Sequence, residues 1–207
     1  MSKVECMFIH IKSDESLPMA KKIIMSGGVI VFPTDTVYGV GCLPSDEKAV
    51  IRVAAMKGRG EKPLPILCLD AETSFTLIKW NPMIDRLAEL FWPGPLTIVG
   101  KVKDNVKLPP KITCGTGKLG VRVQSLGWTL ALLKEVGGSL VGTSANRSGY
   151  GSPVTLTQTL TRLGRDADLY VDGGETIYGG DSTVVDVSEG KIVVLREGAL
   201  PVKDLFP

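Results

Sequence analysis

Short apolar runs alternate with amphipathic segments along this chain. The clearest run is Val29 to Phe32, in which three of four residues are β-branched, and it predicts a buried strand that Pro33 ends. A glycine pair precedes the run and can stop a helix predicted over residues 16–25, where apolar residues recur on one face. The chain therefore begins with a helix that leads into a buried strand, and a weaker alternation before it predicts a first strand at residues 4–11.

The same periodicities predict seven further strands and five further helices. The strands are expected at residues 63–69, 96–102, 120–124, 140–141, 168–171, 183–187 and 191–195. The helices are expected at residues 45–57, 71–79, 81–91, 128–136 and 155–163, with a helical turn at 201–206. Ser16 and Ser45 are predicted N-caps. Because strands alternate with helices and also pair late in the chain, we expect one α/β domain over residues 1–207 with a twisted mixed parallel and antiparallel sheet.

The composition and net charge of the chain argue against several classes of protein. The net charge of +2 is nearly balanced, which argues against a dedicated nucleic-acid binder, so any anion site must be local. No apolar run is long enough to cross a bilayer and no signal peptide is recognisable, so we expect no membrane association. The four cysteines are scattered without a Cys-x-x-Cys pair, which argues against a structural zinc site and predicts a reducing, cytoplasmic location.

Polar residues cluster where predicted strands end. Thr34, Asp35 and Thr36 directly follow the strand that Pro33 ends, and a polar cluster held by a rigid strand is a common place for a site. The plainer alternative is a strand followed by an ordinary polar turn. His10 lies in the first predicted strand, away from these clusters, so no Ser-His or Cys-His nucleophile pair can be built around them.

Cations accompany these strand ends. Arg122 stands between two valines of a predicted strand, where it either lies at a sheet edge or points into a polar cavity and binds a carboxylate. Lys57 and Arg59 end a predicted helix; basic residues are common there without any function, but they would also suit polyanion chemistry. Gly115-Thr116-Gly117-Lys118 is not a phosphate-binding P-loop, because it lacks the earlier glycine and leads into a strand.

Seven motifs, in order and over almost the whole chain, resemble the YrdC-like family of L-threonylcarbamoyladenylate synthases. They are Phe-Pro-Thr-Asp-Thr-Val-Tyr-Gly at 32–39, Lys-Gly-Arg at 57–59, Trp-Pro-Gly-Pro-Leu-Thr at 92–97, Gly-Val-Arg-Val at 120–123, Thr-Ser-Ala-Asn-Arg-Ser-Gly at 143–149, Asp-Ser-Thr-Val-Val-Asp at 181–186 and Leu-Arg-Glu-Gly at 195–198.

The resemblance implies a reaction and a fold. The family makes threonylcarbamoyl-adenylate and pyrophosphate from L-threonine, bicarbonate and ATP, with Mg²⁺ as the expected metal. A downstream threonylcarbamoyl-transferase complex then modifies adenosine 37 of tRNA, and direct contact with tRNA is a weaker expectation. The implied fold is a single domain with flanking helices around a concave basic cavity. The chain ends at Pro207, so we expect the single-domain type.

The resemblance also implies roles for individual residues. Catalytic roles fall to Lys57, Arg59, Ser144 and Asn146; ATP contacts fall to Arg59, Lys62, Lys118, Ser144, Ser152 and Arg196; and L-threonine contacts fall to Thr36, Arg122, Gly142 and Ser182. No protein side chain is assigned to a metal. Leu67 departs from the histidine of many members, Lys118 from threonine and Gln124 from proline, and the segment after Arg59 is one residue shorter.

Three alternatives remain open. The fold could serve as an RNA-binding module, although the near-zero net charge argues against it. A related domain occurs in a carbamoyl-adenylate enzyme of hydrogenase maturation, but the zinc-finger cysteine pairs of that enzyme are absent here. A paralogue that has kept the fold and lost the activity is the third possibility, and the presence of Lys57, Arg59, Ser144 and Asn146 argues against it.

Overall fold

The computed structural model describes residues 6–58, 60 and 62–205. In these residues eleven strands form two sheets. The five-stranded sheet has the order β1-β9-β2-β3-β8, and its strands are β1 (Met7–His10), β9 (Leu169–Asp172), β2 (Ile30–Phe32), β3 (Gly39–Gly41) and β8 (Thr143–Ser144). The six-stranded sheet has the order β11-β10-β5-β6-β4-β7, and its strands are β11 (Val193–Arg196), β10 (Thr183–Asp186), β5 (Leu96–Lys101), β6 (Lys118–Val123), β4 (Ile66–Cys68) and β7 (Ser139–Val141).

Helices pack around the sheets. The described residues contain α1 (Ser16–Met25), α2 (Glu47–Met56), α3 (Ala71–Leu77), α4 (Pro82–Phe91), α5 (Pro110–Thr113), α6 (Gly127–Glu135) and α7 (Leu156–Leu163), followed by a 3₁₀ turn at Val202–Leu205. One apolar core joins α2 and α4 to both sheets, and a second joins α1 and α6 to β2 and β9. None of the described helices is long and apolar enough to span a membrane.

Both sheets mix strand directions, so the predicted α/β class with mixed pairing is confirmed. In the five-stranded sheet β2 runs parallel to β9 and antiparallel to β3. In the six-stranded sheet β6 runs parallel to β4 and antiparallel to β5. The strands form two sheets, whereas a single sheet was predicted from the sequence. The second sheet was missed because the two-residue strand β8 and the glycine-rich strand β3 give too weak a hydrophobic pattern to be recognised.

The chain passes from one sheet to the other at Gly142. Strand β7 ends at Val141 in the six-stranded sheet, and β8 begins at Thr143 in the five-stranded sheet. The backbone is close-packed here, since a Cβ on Gly41 would lie 1.8 Å from the Val141 carbonyl oxygen and a Cβ on Gly142 would lie 2.5 Å from Leu67 Cγ. Glycine therefore lets the two sheets meet closely.

Two predicted helix caps are wrong. Asp46 caps α2 by accepting a hydrogen bond from Ala49 N, and Ser45 precedes it. Ser16 is the first residue of α1, and its Oγ donates to the Ile11 carbonyl instead of capping the helix. Asn81 caps α4 and Thr155 caps α7, since the side chain of each accepts hydrogen bonds from backbone N–H groups of its helix. The short helix α5 was not predicted from the sequence.

Stability should fall at alkaline pH because two thiols are buried in the core. Burial raises the pKa of Cys42 and of Cys68 from 9.0 to about 12. The unfolded chain then loses these protons first, so the stability they confer is present in full below pH 9 and is lost as the pH rises towards 12. The free energy of unfolding in urea, measured from pH 8 to pH 11, should fall less steeply for Cys68→Ala than for the wild type. Cys114→Ala keeps both buried thiols and should follow the wild-type curve, and equal slopes for all three proteins would contradict the account.

Candidate active site

A cavity of about 370 Å³ lies between the two sheets. The six-stranded sheet supplies its floor through alternate residues of several strands, because every second side chain of a strand points to the same face. On β6 these residues are Lys118, Gly120 and Arg122, and on β10 they are Val184 and Asp186. The five-stranded sheet and the loop after β2 supply the facing wall, which includes Thr34, Thr36, Val37, Gly39, Thr143 and Ser144.

Arg122 is the buried cation of this cavity. Its Nη1 donates to Thr36 Oγ1 at 2.8 Å, and its Nη2 donates to Asp35 Oδ1. The residue is 5% exposed, and its Nε is buried without a hydrogen-bond partner in the described structure. Burial lowers the pKa of Arg122, and the Asp35 carboxylate acts in the opposite direction. Since β6 lies between β5 and β4, the sheet-edge alternative is wrong, and Arg122 lies in the lining of the cavity. Binding of a carboxylate by Arg122 stays a prediction.

A hydroxyl-rich cluster joins the loop before β10 to β5 and β11. The hydroxyls of Ser182 and Thr97 are 2.8 Å apart, and Arg196 donates from Nε and Nη2 to the Ser182 carbonyl oxygen. Asp181 Oδ1 accepts from Ser152 Oγ at 2.8 Å and lies 3.8 Å from Arg196 Nη1. Arg196 is exposed, so it stays in contact with solvent at the cavity while its position is fixed by Ser182.

Lys118 lies on the same face of β6 as Arg122, four residues earlier in the strand. Its Nζ donates to Asp186 Oδ2 at 2.8 Å, across β5, and this bond raises the pKa of Lys118. Burial acts to raise the pKa of Asp186, but hydrogen bonds from Lys118 and Ser188 outweigh it and lower the pKa. Two cations of the cavity, Lys118 and Arg196, are therefore partly balanced by carboxylates.

Lys57 holds the loop that follows β8. Its side chain is buried, and Nζ donates to the main-chain carbonyl oxygens of Ser144 and Asn146, the latter at 2.9 Å. The Ser144 and Asn146 side-chain oxygens lie at 3.3 Å and 3.4 Å from the same nitrogen. The loop is also held to the end of α2 because Ser148 N donates to the Lys57 carbonyl. Lys57 therefore contacts Ser144, and Ser144 in turn lines the cavity.

Most of the predicted site residues come together. The cavity lining includes Thr36, Lys118, Arg122, Gly142, Ser144, Ser182 and Arg196. Ser152 adjoins it through Asp181, and Lys57 and Asn146 lie behind Ser144. Lys62 is exposed and does not line the cavity, although the next residue, Pro63, does. Arg59 lies outside the described residues.

Thr97, Asp181 and Asp186 line the cavity, and no role was predicted for them from the sequence. Asp35 was predicted only as a member of the polar cluster after β2, and it lies directly behind the cavity wall. Alternation was the available signal: Ser182, Val184 and Asp186 occupy every second position, as do Lys118, Gly120 and Arg122. The ion pairs themselves could not be predicted, because they join strands that are distant in sequence.

The cavity holds cations and hydroxyls at fixed positions, and its described lining residues include neither histidine nor cysteine. The sole histidine, His10, is exposed on β1 as expected. Such a site can bind a carboxylate at Arg122 and a second anion near Lys118 and Arg196. Chemistry here would proceed by positioning and charge stabilisation rather than through a side-chain nucleophile.

Comparisons with known proteins show the family of the chain. The model of the Sua5/YciO/YrdC family, described as telomere recombination, matches residues 22–198. The threonylcarbamoyl-AMP synthase of Pyrococcus abyssi is 36% identical over 189 residues, which make up 90% of this chain and 55% of that protein. The putative threonylcarbamoyl-AMP synthase of Methanocaldococcus jannaschii is 31% identical over 191 residues, which make up 91% of this chain and 88% of that protein.

Solved structures give the same result. The crystal structure of P. abyssi Sua5 complexed with L-threonine has a TM-score of 0.89 and 34% identity, and covers 97% of this chain and 59% of that one. The crystal structure of Escherichia coli YciO has a TM-score of 0.84 and 27% identity, and covers 98% and 100% of the two chains. The chain thus spans little more than half of its P. abyssi relative and nearly all of others. By its sequence, its fold and the motifs that converge on its cavity, the chain belongs to the Sua5/YciO/YrdC family.

Proposed function

We propose that the protein is a threonylcarbamoyl-AMP synthase, which converts L-threonine, bicarbonate and ATP into L-threonylcarbamoyl-adenylate and pyrophosphate. One observation carries the proposal: a buried arginine suited to a carboxylate shares a cavity with Lys118, Arg196 and the Ser144 loop. The names of the relatives from P. abyssi and M. jannaschii support the same activity. The RNA-binding alternative has no comparable support.

The reaction has two bond-forming steps. Bicarbonate breaks its C–OH bond to give carbon dioxide and hydroxide, and the amine of threonine forms a bond to the carbon of carbon dioxide as one C=O π bond opens. The proton lost by the amine combines with the hydroxide, so a carbamate and water are formed. A carbamate oxygen then attacks the α-phosphorus of ATP, and the bond to the pyrophosphate leaving group breaks. Both the carbamate and the mixed anhydride product are easily hydrolysed, so the reaction is favoured if the substrates exclude water when they fill the cavity between the two sheets.

The cavity residues have distinct roles in this reaction. Arg122, held by Thr36, binds the threonine carboxylate, and Ser182 and Gly142 lie beside it in the same cavity. Lys118, Arg196 and Ser144 bind the nucleotide, together with Ser152, which adjoins the cavity through Asp181. Arg59 and Lys62 are proposed as further phosphate contacts on the segment that leads to Pro63. Charge on the leaving pyrophosphate is stabilised by these cations.

Magnesium does not have a protein site of its own in this proposal. The described residues contain no group of three carboxylate, histidine or cysteine side chains able to hold a metal ion. Mg²⁺ commonly binds through substrate phosphates and water, so we treat it as part of the MgATP substrate. We further propose that the product serves a downstream complex that transfers the threonylcarbamoyl group to tRNA in the cytoplasm, as the resemblance to the family implies.

Pyrophosphate release tests the proposed function directly. The purified protein with MgATP, bicarbonate and L-threonine should release pyrophosphate and form an adenylate of the mass of threonylcarbamoyl-AMP. Omission of threonine, or of bicarbonate in carbon-dioxide-free buffer, should stop both. Pyrophosphate release that continues without either substrate would contradict the proposal.

Arg122→Lys should mainly weaken the use of threonine. Lysine keeps the charge but not the planar fork that binds a carboxylate and two hydrogen-bond acceptors at once. The KM for L-threonine should rise about 10- to 100-fold, the effect of losing one or two charge-assisted hydrogen bonds, while the KM for ATP changes little. Arg86→Lys alters an exposed residue of α4 and is the matched control. Equal increases in both KM values would place Arg122 elsewhere in the mechanism.

Lys57→Met should lower turnover because the loop at 144–146 loses its buried ammonium donor. We expect kcat to fall about 10²-fold or more, as for other groups that organise transition-state charge contacts. Lys48→Met changes an exposed lysine of the same helix and should leave kcat unchanged. A Lys57→Met enzyme that retains more than half of the wild-type kcat would show that this contact is not needed for turnover.

A further inference from the structure

Asp35 is a fully buried carboxylate just outside the cavity. It is 0% exposed, and the residues on either side of it, Thr34 and Thr36, line the cavity whereas Asp35 does not. Its side chain turns away from the cavity and toward the end of β6. A substrate in the cavity therefore has no direct contact with Asp35, and any effect of this carboxylate must be transmitted by its partners.

Both oxygens of Asp35 are committed to fixed donors. Oδ1 accepts from Arg122 Nη2, and Oδ2 accepts from Ser125 N and from Ser125 Oγ, each at 3.0 Å. The main chain is fixed as well, because Tyr178 N donates to the Asp35 carbonyl oxygen at 2.8 Å. A carboxylate with three donors on two oxygens has little freedom to rotate, so it can hold the guanidinium in one orientation.

The three guanidinium nitrogens of Arg122 differ in their hydrogen-bond partners. Asp35 accepts from Nη2 and Thr36 accepts from Nη1, while Nε is buried and has no partner among the described residues. An unmet donor on a buried guanidinium is unfavourable, since buried polar groups are normally hydrogen-bonded. A carboxylate that entered the cavity beside Arg122 would supply the missing acceptor.

An unpaired guanidinium at this depth would be strongly disfavoured by its lost hydration. Asp35 offsets that penalty from outside the cavity, so the space beside Arg122 stays open to substrate. The other carboxylate close enough to act on the charge of Arg122 is that of Asp181. It accepts a hydrogen bond from Ser152 and lies near Arg196. Asp35 is therefore the group that both balances and orients Arg122.

We propose that Asp35, held by Ser125, is a positioning residue that orients Arg122 and thereby gives the site its selectivity for an α-carboxylate. The proposal rests on the proposed function, because it assumes that L-threonine binds at Arg122. It differs from a purely structural role for a buried ion pair. A structural pair would affect stability and all substrates alike, whereas a positioning pair affects the carboxylate end of one substrate.

The test compares binding of L-threonine with that of L-threoninamide, which lacks the carboxylate. Isothermal titration calorimetry of the full chain gives each dissociation constant without requiring turnover. The wild type should prefer L-threonine strongly. Asp35→Asn should weaken L-threonine binding at least about 10-fold and leave L-threoninamide binding within about twofold, because one charge-assisted hydrogen bond and its orientation are lost.

Three further variants keep the test decisive. Ser125→Ala removes only the Oγ donor and keeps the backbone donor, so it should fold and should weaken L-threonine binding by a smaller factor, about two- to fivefold. In an Arg122→Lys background, Asp35→Asn should cause less than half of its effect in the wild type, because its influence passes through Arg122. Asp70→Ala removes the N-cap of α3 and controls for a loss of stability alone.

The outcomes separate the two proposals. If Asp35→Asn and Ser125→Ala leave L-threonine binding unchanged, or if Asp35→Asn weakens both ligands equally as a destabilised control might, the positioning role is overturned. A wild type that fails to bind L-threonine also overturns it. A wild type that binds L-threonine with the predicted selectivity but releases no threonine-dependent pyrophosphate overturns the proposed function and leaves the positioning role standing.

Discussion

The buried ion pair between Asp35 and Arg122 links the two sheets across the wall of the cavity. Asp35 follows β2 of the five-stranded sheet, and Arg122 stands on β6 of the six-stranded sheet. Such a pair is a poor source of net stability, since both charges lose their hydration, but removal of one partner leaves an uncompensated buried charge. The pair therefore constrains how the sheets meet, and the cavity between them has its shape under that constraint.

The cations of the cavity differ in their burial and in the position of their carboxylate partners. Arg122 is deeply buried and paired with a carboxylate behind the wall, whereas Lys118 and Arg196 are more exposed and have carboxylates within the cavity itself. A small carboxylate suits the first environment because it needs one fixed guanidinium. A flexible triphosphate suits the environment of Lys118 and Arg196, because near solvent each of these cations can leave its aspartate partner and pair with a phosphate instead. A protein of net charge +2 thus gathers three cations, Arg122, Lys118 and Arg196, in the lining of one cavity.

The sequence predicted elements more successfully than their assembly. The apolar run from Val29 to Phe32 and the helical pattern over residues 81–91 are strong local signals, and both elements appear as expected. The two-sheet arrangement depends instead on Gly41 and Gly142, whose role is a close approach between distant backbones and leaves no periodic pattern. Likewise Arg122 was recognisable as an unusual residue in a strand, but its pairing with Asp35 is a contact across 87 positions that no local pattern encodes.

The proposed function requires one cavity that binds the amino acid at Arg122 and the nucleotide beside it. A crystal structure of the protein with L-threonine and a non-hydrolysable ATP analogue tests this arrangement. We expect the threonine carboxylate within hydrogen-bonding distance of the Arg122 guanidinium, with the phosphates beside Lys118, Arg196 and Ser144. Threonine bound away from Arg122, or a nucleotide bound outside the cavity between the sheets, would contradict it.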